Sequence, residues 1–118
     1  MADTDAILKA ATDLGKLIAA HPTTRKYEDV LKRLDDDTDA QRLMTDLNRH
    51  RETLAEKEAA GKPIEVDDKK KMTQLQQDVA MSPILRDLQM AQMDYLDLMR
   101  KVDQRMADAA GPDAPAAG

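Results

Sequence analysis

The side chains that could perform chemistry are few in this sequence and lie far apart. The chain has two histidines, His21 and His50, no cysteine, and one serine, Ser82. Asp46 and His50 are one helical turn apart and could each donate a metal ligand, but two ligands from one helix do not complete a zinc site. Ser82 precedes a proline and is interpreted as a helix cap, so we expect no nucleophilic triad. We therefore predict a protein that is not an enzyme, with no catalytic residue, metal site or cofactor.

The three consecutive lysines, Lys69 to Lys71, raise the question of nucleic-acid binding. From Glu56 to Lys71, five lysines balance five carboxylates, and the whole chain carries a net charge of −5. Tracking of phosphates requires a field of one sign, and Tyr27 and Tyr95 are the only aromatic residues that could stack on bases. We do not expect direct nucleic-acid binding, although a weak RNA-binding module remains an alternative.

The composition favours an all-α fold. Of the 118 residues, 42% are hydrophobic and 2% aromatic, and the apolar residues are mainly Leu, Met and Ala, which form helices well. No stretch shows the sustained alternation of a half-buried strand. No apolar run approaches the roughly 20 residues of a membrane span, and the first residues are acidic rather than basic as in a signal peptide. We expect a cytoplasmic protein without a membrane partner.

Capping and breaking residues predict five helices. Thr4 is expected to cap a first helix that ends at about residue 20, before His21-Pro22, and a second helix follows over about residues 24–34. The third helix is expected to start after a cap at Asp37 or Thr38 and to end near residue 60, where Gly61 and Pro63 stop it.

The remaining two helices follow the same logic. Asp67 or Asp68 is expected to begin the fourth, and Ser82-Pro83 to begin a fifth that runs to about residue 109. We predict one helical domain over residues 1–109 and a disordered C-terminal tail over residues 110–118.

The third and fourth helices are expected to form an antiparallel hairpin. The apolar stripe of the third helix narrows along its length, which is typical of packing against a single neighbour. We therefore predict a five-helix bundle from which the tip of this hairpin projects. A narrow apolar seam could also hold unfolded segments of other proteins, so a holdase-like chaperone is an alternative function.

The fifth helix has more apolar surface than one neighbour can bury. At 1.5 Å per residue it would be about 40 Å long, whereas a compact chain of this length has a radius of gyration of only about 13–14 Å. A two-fold homodimer would cover the excess surface. The predicted oligomer interface is formed by Leu88, Tyr95, Leu96, Met99, Val102 and Met106.

Two methionines, Met90 and Met93, interrupt the charged side of the same helix. Single exposed apolar residues are common on protein surfaces. Adaptable methionine side chains are also typical of protein-docking surfaces, and we predict such a surface here. The predicted partner-binding residues are Met90, Met93, Arg86, Asp97 and Arg100.

The order of these features resembles the YlbF/YmcA family over about residues 5–107. The segments that carry the resemblance are residues 11–18, His21-Pro22 with Tyr27, residues 36–44, Gly61-Lys62-Pro63, and Leu75 to Val79 before the long last helix. The family often has Phe where this chain has Leu47, so the core here is built with Leu and Met instead.

The resemblance implies a small helical regulator that acts through other proteins. The best-known members assemble with each other and with a third protein, influence competence, sporulation and biofilm formation, and direct an RNA-cleaving enzyme. We therefore expect an adaptor whose partner is a second copy, a paralogue or an RNA-processing complex. Iron–sulfur clusters held by cysteines are associated with that assembly, but this chain has no cysteine to hold one.

Overall fold

The computed structural model describes residues 2–111, and this part of the chain consists of five α-helices without a strand. The all-α prediction is therefore confirmed. The helices are α1 (Ala2–Ala20), α2 (Pro22–Asp35), α3 (Thr38–Ala59), α4 (Val66–Met81) and α5 (Pro83–Ala110). The predicted tail falls mainly on residues 112–118, outside the described residues, and Ala110 belongs to α5 rather than to the tail.

Several helix starts differ from the prediction by a few residues because other side chains cap them. Thr4 lies inside α1 and does not cap it. The ring nitrogen Nδ1 of His21 accepts a hydrogen bond from the backbone N–H of Thr23 at 3.1 Å, so α2 starts at Pro22 rather than near residue 24. Asp37 caps α3 as predicted, by accepting the N–H of Ala40 at 3.0 Å.

Helix α4 starts at Val66, one or two residues before the predicted start at Asp67 or Asp68. Glu65 is the cap residue, and its backbone N–H donates to the carboxylate of Asp68 at 3.0 Å. Asp68 is therefore in the first turn of the helix and closes it from inside. Ser82 lies before α5 as predicted, with its hydroxyl 3.5 Å from the N–H of Leu85.

The contacts divide the chain into two compact units. One unit comprises residues 2–29 with 90–111, and the other comprises residues 30–89. Within the second unit, α3 and α4 pack closely as the predicted antiparallel hairpin. Its buried side chains are Val30, Ala40, Leu47, His50, Leu75, Ile84 and Leu85.

Gly61 shapes the turn between α3 and α4. Its φ of +70° is in the left-handed region, which is costly for residues that carry a Cβ. The N–H of Gly61 donates to the carbonyl of Glu58, and Lys62 donates to Lys57, which satisfies carbonyls at the end of α3. The glycine predicted to end the third helix therefore does so.

Candidate protein-interaction surface

A shallow groove on α5 brings together four of the predicted partner-binding or interface residues. It is lined by Met93, Asp94, Leu96, Asp97 and Arg100. Met93 is 62% exposed, and Met90, one helical turn earlier, is 60% exposed. Because α5 is amphipathic, these methionines lie on the side of the helix that carries its charges. We call Met90, Met93, Asp97 and Arg100 the α5 outer face.

Asp97 organises the charges of the α5 outer face. Its carboxylate pairs with Arg100 and, at 3.0 Å, with the ammonium group of Lys101. The hydrogen bond from Lys101, with help from Arg100, lowers the pKa of Asp97 below its ordinary value. The carboxylate is therefore ionised at neutral pH, and a charged rim adjoins the exposed methionines.

The other predicted residues of α5 are distributed differently. Arg86 is exposed and lies in the second unit, as does half-buried Leu88. Tyr95 is half-buried because its ring packs on Tyr27 of α2, with the ring centroids 5.4 Å apart and the planes tilted by 47°. The predicted interface is thus partly occupied by contacts within the chain.

Beyond Tyr95, the predicted interface residues of α5 differ in exposure. Met99 and Val102 are half-buried, whereas Leu96 and Met106 are exposed by more than half of their surface.

His50 lies in the core of the hairpin and has a structural contact there. It is only 5% exposed, and its Nε2 lies 2.8 Å from the backbone carbonyl oxygen of Asp68. A carbonyl can only accept, so Nε2 carries the hydrogen and donates it. The side chain therefore ties the middle of α3 to the first turn of α4.

The same turn of α4 carries the closest ion pair of the hairpin. The Nζ of Lys57 lies 2.6 Å from the Oδ2 of Asp68, and both side chains are mostly covered. The hydrogen bond from Lys57, together with that from the N–H of Glu65, lowers the pKa of Asp68, and the same bond raises the pKa of Lys57. Asp68 thus connects the end of α3, the turn and the start of α4.

Asp46 and His50 line a pocket on the hairpin with Arg49, Thr53, Asp68, Lys71 and Leu75. A cation there would face Arg49 and Lys71, and the carboxylate of Asp68 is already paired with Lys57. Within residues 2–111, no group of three or more His, Asp and Glu side chains is placed to hold a metal ion. Nor does any helix in this range have the length and apolar character needed to cross a bilayer.

Sequence reasoning missed the exposure of α1. Its apolar residues recur at helical spacing, but Ile7, Leu8 and Leu17 are between 59% and 70% exposed. The periodicity shows that a helix has an apolar side and does not show whether another element covers it.

The family model described as "Control of competence regulator ComK, YlbF/YmcA" matches residues 7–109, nearly the whole helical region. The chain belongs to the YlbF/YmcA family. This confirms the family predicted from the order of helices, caps and turns, and it makes the chain a member of a family of regulators. A search of curated proteins finds no match.

A solved member of similar fold supports the same architecture. The chain is similar to a protein in the X-ray crystal structure of Bacillus subtilis RicA in complex with RicF, with a TM-score of 0.77 and 19% sequence identity. The match covers 86% of this chain and 90% of that chain. At this identity the likeness establishes the shared fold.

Proposed function

We propose that this YlbF/YmcA-family chain is a non-catalytic adaptor of the cytoplasm that acts by docking the α5 outer face on a helix of another protein. The partner would be a paralogue or a component of a complex that controls RNA processing or development. The protein would bring proteins together and would leave any chemistry to them.

The observation that carries this proposal is the pair of exposed methionines. Met90 and Met93 are spaced by three residues and therefore lie side by side on the helix surface. Their flexible thioethers can adapt to an apolar ridge of another helix. Asp97 and Arg100 provide a rim of both signs, which favours partners with a complementary charge pattern.

The similarity to RicA supports a function in binding other proteins. RicA was crystallised in complex with RicF, so a protein of this fold binds another protein. We propose the same for this chain, with the α5 outer face as the contact.

We also propose that the chain forms a homodimer, or an equivalent dimer with a paralogue, through Leu88, Tyr95, Leu96, Met99, Val102 and Met106. The exposure of Leu96 and Met106 supports this proposal, because burial of aliphatic surface drives association. The dimer would be the scaffold on which the outer face is displayed twice.

The test is a pull-down with the tagged full-length chain from a lysate of its own organism, with bound proteins identified by mass spectrometry. The Met90→Asp, Met93→Asp double variant places two charges in the proposed contact. The Gln76→Asp, Gln77→Asp variant adds the same charge to exposed positions on α4 and serves as the matched control.

The proposal expects a paralogue or an RNA-processing protein with the wild type and the control, and its loss with the methionine variant. Unchanged capture by the methionine variant would contradict the docking surface. Capture of many unrelated proteins by all three would instead favour the holdase-like alternative.

A further inference from the structure

The end of the hairpin that is opposite the Gly61 turn carries a groove. The start of α3, the end of α4 and the first residue of α5 line it, all within the unit of residues 30–89. Its volume is about 450 Å³, which is enough for several side chains of another molecule. We call this site the base groove, and the residues that define it are Asp37, Asp39, Leu43, Asp78, Met81 and Pro83.

The base groove has an apolar lining that is open to solvent. Met81 is 78% exposed, the largest exposed fraction among the large hydrophobic side chains of residues 2–111. Leu43 lines the same groove and is half-buried, and Pro83 adds a further apolar surface. A methionine side chain adapts to differently shaped neighbours, so Met81 can pack on an apolar side chain of another molecule.

Every charged residue that lines the base groove is acidic. These residues are Asp37, Asp39 and Asp78. The five ion pairs within residues 2–111 involve other carboxylates. Asp37 and Asp78 each use one oxygen within the chain, for the N–H of Ala40 and the amide of Gln74. The groove therefore combines an apolar lining with a negative field that no described cation neutralises by pairing.

The three carboxylates are too far apart to share one ion. Within the described residues, no three His, Asp or Glu side chains are placed together as metal ligands, and the set from the base groove is no exception. A calcium ion requires six or more oxygen ligands around one point. Separate carboxylates instead suit separate ammonium or guanidinium groups, which a basic segment of a protein provides.

We propose that the base groove is a docking site for a basic amphipathic helix of a partner protein. Lysine or arginine side chains of this helix pair with the three aspartates, and an apolar side chain packs on Met81 and Leu43. A helix fits because residues three and four apart present apolar anchors on one face with basic residues beside them. The charge of the groove selects the partner, because an acidic helix would be repelled.

The base groove is separate from the α5 outer face. The outer face lies in the unit that contains residues 90–111 and has charges of both signs, whereas the base groove lies in the other unit and has one sign. A protein that brings two others together needs two surfaces, and the base groove supplies the second. Only this need rests on the adaptor function proposed above, because the lining and charge of the groove stand without it.

The test is fluorescence anisotropy with the full-length chain and a labelled synthetic amphipathic helix made of Leu and Lys. A second peptide with Glu at every Lys position is the control probe. The Asp39→Lys, Asp78→Lys variant reverses two charges of the groove. The Glu52→Lys, Glu56→Lys variant changes the net charge equally at exposed positions of α3 away from the groove.

The Leu–Lys peptide should bind the wild type, and the groove variant should raise its dissociation constant at least about tenfold more than the α3 control does. Higher salt should weaken binding to the wild type, and the Glu peptide should not bind. Met81→Gln keeps the length of an exposed side chain, so it should leave the fold intact and weaken binding about fivefold.

Several results would overturn the proposal. Equal weakening by the two charge variants would show attraction to net charge alone, and unchanged binding by Met81→Gln would remove the apolar contact. No binding of the Leu–Lys peptide below about 1 mM would remove the site. If the wild type self-associates and both the groove variant and Lys69→Glu, Lys70→Glu abolish this association, the occupant is a second copy instead.

The same proteins distinguish this site from the proposed function. The Met90→Asp, Met93→Asp variant should bind the peptide like the wild type, because it leaves the base groove unchanged. Failure of the pull-down with normal peptide binding would refute the α5 outer face alone. Loss of groove-dependent peptide binding with a normal pull-down would refute the base groove alone.

Discussion

Replacement of His50 by alanine should destabilise the hairpin strongly, because this side chain is the buried link between α3 and α4. Two losses combine. The bond from Nε2 to the carbonyl of Asp68, 2.8 Å long, is worth about 1 kcal/mol net. Removal of a ring that is 5% exposed also leaves a cavity, since surrounding side chains relax only in part. Together we expect a loss of about 2–4 kcal/mol in the free energy of unfolding.

The other histidine provides the matched control. His21 is exposed, and its ring accepts one backbone N–H at the start of α2. His21→Ala removes the same atoms but leaves no cavity, so the loss should be that of a cap, about 0.5–1 kcal/mol.

Urea denaturation followed by circular dichroism at 222 nm measures both variants. Protein concentration must be the same in all samples, because association would add to the apparent stability. Equal destabilisation by the two substitutions, or a loss below about 1 kcal/mol for His50→Ala, would refute the assignment of His50 as the buried tie of the hairpin.

Two further predictions concern the turn of the hairpin. Gly61→Ala should destabilise the protein by about 1–2 kcal/mol because φ at this position is +70°. Gly15→Ala, in the middle of α1 with open space around it, should stabilise the protein by about 0.5–1 kcal/mol. The midpoint temperatures of thermal unfolding should therefore shift in opposite directions, and a shift of both in the same direction would contradict the backbone argument. The hydrogen bond from Lys57 lowers the pKa of Asp68, so the carboxylate of Asp68 binds a proton less readily in the native protein than in the unfolded chain. The contribution of Asp68 to stability is therefore complete above the ordinary carboxyl pKa and is lost as the pH falls below about 4. Urea titrations across that range should show a smaller acid-induced loss for Asp68→Asn than for the wild type, and parallel curves would show that Asp68 does not couple protonation to folding.

Much of the local structure could be predicted from the sequence because capping and helix-breaking residues affect only the helical turn next to them. As the residue types predict, Asp37 caps the N-terminus of α3, Gly61 lies just after the C-terminus of α3, and α5 begins at Ser82-Pro83. The starts of α2 and α4 were wrong by two residues or fewer because the caps used are an imidazole and a glutamate, which are less common in that role than Thr, Ser or Asp.

The candidate site could be predicted only in part. Exposure of Met90 and Met93 follows from their position in the charged arc of α5, which a helical wheel displays. The partial covering of Tyr95 by Tyr27 could not be read in the same way, because the two rings belong to helices separated by more than 60 residues in the chain. The oligomer interface proposed for α5 therefore concerns mainly the residues that follow Tyr95, which are Leu96, Met99, Val102 and Met106.

The sequence alone determined the all-α class, the family, most helix ends to within two residues and the absence of thiol chemistry. Each of these depends on residue type or on spacing within a helix. The tertiary structure decided which apolar stripes are covered. Burial depends on what other elements bring to a surface, and so Leu47 and Leu75 in the hairpin are buried while Ile7 and Leu17 in α1, with similar spacing and composition, face solvent. The periodicity of apolar residues does not contain that difference.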